Sequence, residues 1–145
     1  MENPIVILKQ LKWEDYVLAI NAAKLFYNDE VNKERMQKIL ADTHNYLIIA
    51  SIDGNIAGFV FWYQLDSWHK ESKEMLLYDI EVSNKYRRMG IATKLFDEFK
   101  SISKKEWYKE IRLPTEKSNT AAVEFYKRMG GIQKHEDDTL FSFRI

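Results

Sequence analysis

The stretch Asp79–Ile80–Glu81–Val82–Ser83–Asn84–Lys85–Tyr86–Arg87–Arg88–Met89–Gly90–Ile91–Ala92–Thr93 decides the fold. It closes an apolar run that begins at Met75. It then passes into helical spacing, where Ile91, Leu95, Phe96, Phe99 and Ile102 make one apolar stripe. The reading is strand, basic loop, helix. Residues 88 to 93 supply successive backbone N–H groups at a helix N-terminus, where partial positive charge favours anions. Gly90 lets the backbone approach a phosphate, Ala92 is too small to obstruct it, and Arg87 and Arg88 add charge. This is chemistry for a pyrophosphate. The absence of a Gly-Lys-Ser/Thr ending excludes a P-loop, and a single glycine fails the three-glycine dinucleotide fingerprint.

Upstream, Ile5–Leu8 is short and β-branched, as a strand requires. Helical spacing carries Val17, Ile20, Ala23 and Leu25 between Trp13 and about Phe26, and a second helix is expected from Asn32 to about Ala41. Tyr46–Ala50 and Ile56–Gln64 flank the turn Asp53–Gly54–Asn55, which predicts a β-hairpin. Downstream, Glu110–Leu113 is a short strand ended by Pro114. Ser118 or Asn119 can cap a helix that runs to Met129 and stops at Gly130–Gly131. The tail from Thr139 to Ile145 alternates like a closing strand. The expected order is β-α-α-β-β-β-α-β-α-β-β, an α/β fold with a mixed sheet of about seven strands and helices on both faces.

Composition bounds the partners. The chain has 145 residues, suited to one domain over 1–145, with 46% hydrophobic residues for a core. Lys+Arg and Asp+Glu are 22 each, so no basic excess points to nucleic acid. With no cysteine there is no disulfide framework and no cysteine nucleophile. No apolar run approaches the roughly 20 residues that span a bilayer. No basic segment with a long apolar stretch follows Met1, so a cytoplasmic protein without membrane partners is expected.

A second constellation is Asn119–Thr120–Ala121–Ala122–Val123–Glu124–Phe125–Tyr126–Lys127–Arg128–Met129–Gly130. Together the two segments resemble the GCN5-related N-acetyltransferase superfamily, whose members use acetyl-CoA. Arg87, Gly90 and Ala92 match its cofactor loop, directly after Ile80–Glu81–Val82. Asn119, Ala122, Phe125, Tyr126 and Gly130 match its later segment. Around Asp79–Val82 and the loop the likeness extends to small aminoglycoside 3-N-acetyltransferases.

The resemblance implies a mostly antiparallel sheet whose central strands splay to hold acetyl-CoA. The pantetheine arm would lie between Ile80–Val82 and Ile111–Leu113, bonded to the backbone of Ile80, Glu81 and Val82. The pyrophosphate would sit on Arg88, Met89, Gly90, Ile91, Ala92 and Thr93, with Arg87, Asn119, Ala122 and Tyr126 completing the cofactor site. It implies Tyr126 as the general acid for the departing thiolate. An alkyl ammonium has a pKa of about 10.4, so a base must take its proton. Strand alternation puts Asp79 and Glu81 on one face, where each other's charge raises one pKa. Asp79, where some small-amine acetyltransferases carry an acceptor-binding acid, is the first candidate base and Glu81 the second.

Trp68 and Asp66 follow the third strand, where acceptor loops lie in the superfamily, and could shape an amine pocket. His44, His69 and His135 lack ligand spacing, so no metal is expected. The expected reaction is acetyl transfer to a primary amine of a small molecule. The alternatives are a protein lysine or N-terminal amine as acceptor, or a non-catalytic acyl-CoA-binding module. A homodimer through the closing strands is the family habit.

Overall fold

Element ends in this chain follow local chemistry. The computed structural model describes residues 2–134, 136–137 and 141–145. Strand β1 (Val6–Gln10) leads into helix α1 (Tyr16–Tyr27). Asn28 ends α1 in the left-handed conformation, its N–H donating to the Lys24 carbonyl at 3.0 Å. Helix α2 (Lys33–Ala41) is capped by Asn32, whose Oδ1 accepts the Arg35 N–H at 2.8 Å. Strands β2 (Asn45–Ile52) and β3 (Asn55–Asp66) are joined by Asp53 and Gly54 alone. Both take positive φ, 50° and 76°, as a two-residue hairpin turn requires. Strand β4 (Lys73–Val82), helix α3 (Ile91–Lys105), strand β5 (Glu110–Arg112) and helix α4 (Thr120–Arg128) follow.

The chain divides into two compact units, 1–114 and 115–145. Within the first, five strands among the described residues form one sheet in the order β1-β2-β3-β4-β5. The first four are antiparallel, and β5 joins β4 in parallel. The sheet is therefore mixed, as expected, with five strands where seven were expected. Residues 131–134 and 141–145 have no regular structure, while Thr139 and Leu140 of the expected closing strand lie outside the described residues.

Both sheet faces are covered within the first unit. On one, Ile49 and Phe59 pack with Leu11, Ala19, Ala22 and Met36, under α1 and α2. On the other, Trp62 meets Phe99 of α3 with ring centroids 4.5 Å apart. The α3 stripe is buried at Ile91, Leu95, Phe96 and Phe99. Beside it the Ser103 hydroxyl is satisfied by the Phe99 carbonyl at 2.8 Å. Of the expected apolar spacing on helix α1, Ile20 and Ala23 pack against the core as partly buried residues. Small Ala19 and Ala22 lie against the sheet, whereas Val17 and Leu25 are exposed. No helix among the described residues is long and apolar enough to cross a membrane.

Candidate active site

The C-terminal half of β4 runs past the end of its short neighbour β5. Its ladder with β5 covers only Glu74–Glu110, Met75–Ile111 and Leu76–Arg112. Ile111 and Arg112 therefore pair with Met75 and Leu76, not with the Ile80–Val82 end of β4. From Leu77 onward β4 is unpaired on that side among the described residues, leaving backbone donors and acceptors in need of partners. On its other side β4 follows β3, with one irregularity. Phe61 lies opposite Asp79 and Trp62 opposite Leu77, so Tyr78 is an extra residue, a β-bulge. The Tyr78 ring meets Phe61 at 6.4 Å and Tyr63 at 5.5 Å. The bulge thus turns Tyr78 and Asp79 to one face, which Glu81 shares as the cross-strand partner of Phe59.

The two carboxylates differ in their surroundings. The Tyr27 hydroxyl, at the end of α1, donates to Asp79 Oδ2. Burial, and then the Asp79 anion beside it, hold the Tyr27 phenol well above its ordinary range. Glu81 lines a cavity of about 240 Å³ with Leu25 and Phe26 of α1, Val82, Asn84 and Arg87. Burial there raises the Glu81 pKa; the Asp79 charge adds to the rise and Arg87 opposes it. Arg87 reaches back toward the strand end, its Nε donating to the Val82 carbonyl at 3.4 Å.

Beyond Val82 a short 3₁₀ turn (Asn84–Tyr86) leads to the loop. Arg88 and Gly90 both adopt positive φ, 63° and 74°, and Gly90 is the N-cap of α3 without any side-chain cap. The first intrahelical bond is Lys94 N–H to the Gly90 carbonyl at 3.1 Å. The N–H groups of Ile91, Ala92 and Thr93 therefore precede the ladder. The Ile91 side chain is buried, so it can offer an anion only its backbone. A Cβ on Gly90 would meet nothing within 4 Å, which leaves room at the loop for a phosphate. Donors, space and positive charge all suit the pyrophosphate of a CoA thioester.

The second unit holds the later constellation on α4. Asn119 caps that helix, its Oδ1 accepting the Ala122 N–H at 3.2 Å. Asn119 and Ala122 thus contact each other through the cap. Tyr126 lies in the same helix, 5.4 Å from Phe125 between ring centroids, and its carbonyl accepts the Gly131 N–H at 2.8 Å. A Cβ on Gly131 would come within 2.9 Å of that carbonyl oxygen, which accounts for a second glycine after Gly130.

Two expected acceptor residues stand apart from the carboxylate pair. Trp68 is 95% exposed on the β3–β4 connection. Even from Lys73 to Asp79, β4 spans roughly 20 Å at about 3.3 Å per residue. Asp66 is engaged by the Gln64 amide at 2.7 Å and by His44 at 3.0 Å. His44 sits between Asp66 and Asp42, and hydrogen bonds to both raise its pKa. His135 lies outside the described residues.

What sequence reasoning missed is the α1 end, Leu25, Phe26 and Tyr27. The signal was present in Asn28, a residue that stops helices in the left-handed conformation and so fixes where Tyr27 points.

Comparison with known proteins agrees with this geometry. The description of the matching family is "Acetyltransferase (GNAT) family", and the match runs over residues 6–131, through both units. No curated protein sequence matches the chain significantly. Several solved structures share its fold. An aminoglycoside acetyltransferase, meta-AAC0020 from an uncultured soil metagenomic sample in complex with sisomicin, has a TM-score of 0.86 at 21% identity, covering 97% of this chain and 96% of that one. Aminoglycoside N-acetyltransferase AAC(6')-Iy in complex with CoA gives 0.78 at 17% identity, covering 99% and 98%. Ribosomal-protein-alanine N-acetyltransferase from Brucella melitensis biovar Abortus 2308 gives 0.75 at 19% identity, covering 97% and 100%. On the family match over most of its length, together with the mixed sheet, this chain belongs to the acetyltransferase (GNAT) family and is an N-acetyltransferase.

Proposed function

We propose that this enzyme acetylates a primary amine of a small molecule, with acetyl-CoA as acyl donor. The observation that carries the proposal is the pair Asp79 and Glu81. It stands on one face beside the unpaired edge of β4, immediately before the loop that suits a pyrophosphate. Among the described residues no lysine, arginine or histidine lies within ion-pair distance of either carboxylate. With Arg87 near Glu81 but no direct ion pair to either carboxylate among the described residues, the pair suits an ammonium, and the rings of Phe61, Tyr63 and Tyr78 on the same face suit a cation as well. The small amines carried by the names of two of the structural neighbours are consistent with this reading.

When bound, acetyl-CoA supplies the thioester whose acyl carbon the amine attacks. The backbone N–H groups at 88 to 93, with Arg87 and Arg88, hold its pyrophosphate, and the free edge at Ile80, Glu81 and Val82 orients its arm. Asp79 attracts the acceptor's ammonium. Glu81, raised toward neutrality by burial, takes one proton from the nitrogen and passes it to solvent. As the C–N bond forms and the C–S bond breaks, Tyr126 Oη gives its proton to the leaving thiolate, and the second proton shed by the nitrogen restores the phenol through solvent. A phenol of pKa about 10 is matched to that task.

Calorimetric titration with acetyl-CoA, with ATP for comparison, tests the donor. Micromolar binding, about −8 kcal/mol, with ATP much weaker is the expected result. No binding of any CoA species would sink the proposal. Tyr126→Phe is expected to lower kcat about 100-fold while acetyl-CoA affinity stays within twofold. Unchanged kcat would remove Tyr126 as the acid.

A further inference from the structure

The hydroxyl of Tyr27 spans 52 residues of sequence to reach Asp79, tying the C-terminus of α1 to the bulged segment of β4. Three independent features fix it there. The Tyr27 ring lies 6.0 Å from the ring of Phe59 between centroids. Phe26, the preceding residue, packs edge-on against the same Phe59 at 4.9 Å. Asn28 ends the helix immediately afterwards, so the last turn of α1 cannot unwind without losing its cap. A helix end is thus anchored on the sheet through aromatic contacts, and its one polar atom is directed at one carboxylate oxygen.

That contact matters because Asp79 sits beside a second anion. A carboxylate free to rotate would swing away from Glu81; one whose Oδ2 is held by a phenol keeps its remaining lone pairs in a fixed direction. The bulge at Tyr78 serves the same end, since it sets Asp79 on the face that carries Phe61 and the Tyr78 ring. Glu81, by contrast, lies in the cavity with Leu25, Phe26 and Arg87, and makes no hydrogen bond to Tyr27.

We infer that Tyr27 is a positioning residue of the acceptor site, holding Asp79 as the anchor for the ammonium of a small cationic amine while Glu81 remains free for the proton. The inference rests on the amine-acceptor reading above. It divides the labour of the two carboxylates by their neighbours: Asp79 binds because a phenol aims it, and Glu81 reacts because no hydrogen bond among the described residues ties up its carboxylate, with Arg87 nearby. Tyr27 acts through Asp79 alone.

The test is a double-mutant cycle on amine affinity, read by calorimetry in the presence of CoA, with spermidine and kanamycin as the amine probes. The wild-type chain binds at least one of them. Tyr27→Phe keeps the ring against Phe59 and weakens that amine about tenfold, and Asp79→Asn weakens it at least as much. Tyr27→Phe/Asp79→Asn binds within twofold of Asp79→Asn alone. In turnover, Tyr27→Phe raises the amine KM about tenfold, with kcat and acetyl-CoA affinity within threefold of wild type. Amine affinity unchanged in Tyr27→Phe, or in Asp79→Asn should Tyr27→Phe not fold, overturns the inference. So do additive losses in the double variant and a wild-type chain that binds neither amine. The two readings fail differently: a non-additive cycle without any acetyl transfer sinks the enzyme reading and keeps the anchor, whereas transfer with an additive cycle sinks the anchor alone.

Discussion

Glu81 is held between burial and two charges of opposite sign, and its chemistry follows from which of them prevails. Burial comes first, Asp79 adds to it, and Arg87 subtracts, leaving the carboxyl above its ordinary value. A base must be ionised to act, so kcat/KM is expected to rise with pH through that raised pKa. Glu81→Gln should lower kcat/KM about 100-fold and abolish this acid limb, as a pH–rate profile would show. The stability consequence has the opposite sign. A carboxyl whose folded pKa is raised contributes most below the unfolded value and loses that contribution as pH rises through the folded one. The Gln variant should therefore unfold at a slightly higher temperature than wild type at neutral pH, and thermal scans at low and neutral pH check it. Asp79 and Glu81 were legible in the sequence because strand alternation alone puts them on one face. For Tyr27 only the helix stop at Asn28 was legible; its contact with Asp79, across 52 residues, leaves no local period.

Helices and strands carry the same lesson one level up. The loop at Arg87–Thr93 was readable because its parts are local: an apolar strand, two arginines, a glycine and a helical stripe. In the structure that glycine is the left-handed N-cap of α3. The bulge at Tyr78 was not readable, since it exists only in the register between β3 and β4. The buried face of α1 was readable in part: Ile20 and Ala23 pack where their spacing put them, while Ala19 and Ala22, whose small side chains let the helix sit close to the sheet, are buried in place of the larger Val17 and Leu25. Asn119 shows how one residue can satisfy two expectations, as a cap and as part of the family's later segment. Removing its side chain in Asn119→Ala should cost about 1 kcal/mol in the stability of α4. Hydrogen exchange of the α4 amides is expected to speed up about fivefold, with α3 unaffected. Equal effects on both helices would contradict the assignment of Asn119 as a local cap.

At the scale of the whole molecule, the sheet is a scaffold covered on both faces within the first unit, with one end of β4 unpaired on its β5 side among the described residues. Its rigidity rests on the layer under α3, where Trp62, Phe99 and Leu95 are fully buried. Phe99→Ala should destabilise the fold by about 3–5 kcal/mol, measured by urea unfolding, because the closely packed rings of Trp62 and Phe96 leave little freedom to collapse into the space. A loss below about 1 kcal/mol would mean that this layer is not the core of the first unit. Five strands, not seven, are present among the described residues, and the last expected strand is the part least supported by local pattern. Its alternation of Leu140, Phe141 and Phe143 rests on an acidic turn expected at His135–Asp138, of which His135 and Asp138 lie outside the described residues. The central claim is amine acetylation, and its most direct test is a mass spectrum of small amines incubated with the protein and acetyl-CoA. The expected result is an amine that gains one acetyl group, with an equal amount of free CoA thiol released. Acetyl-CoA that binds yet remains intact beside every amine offered would contradict it.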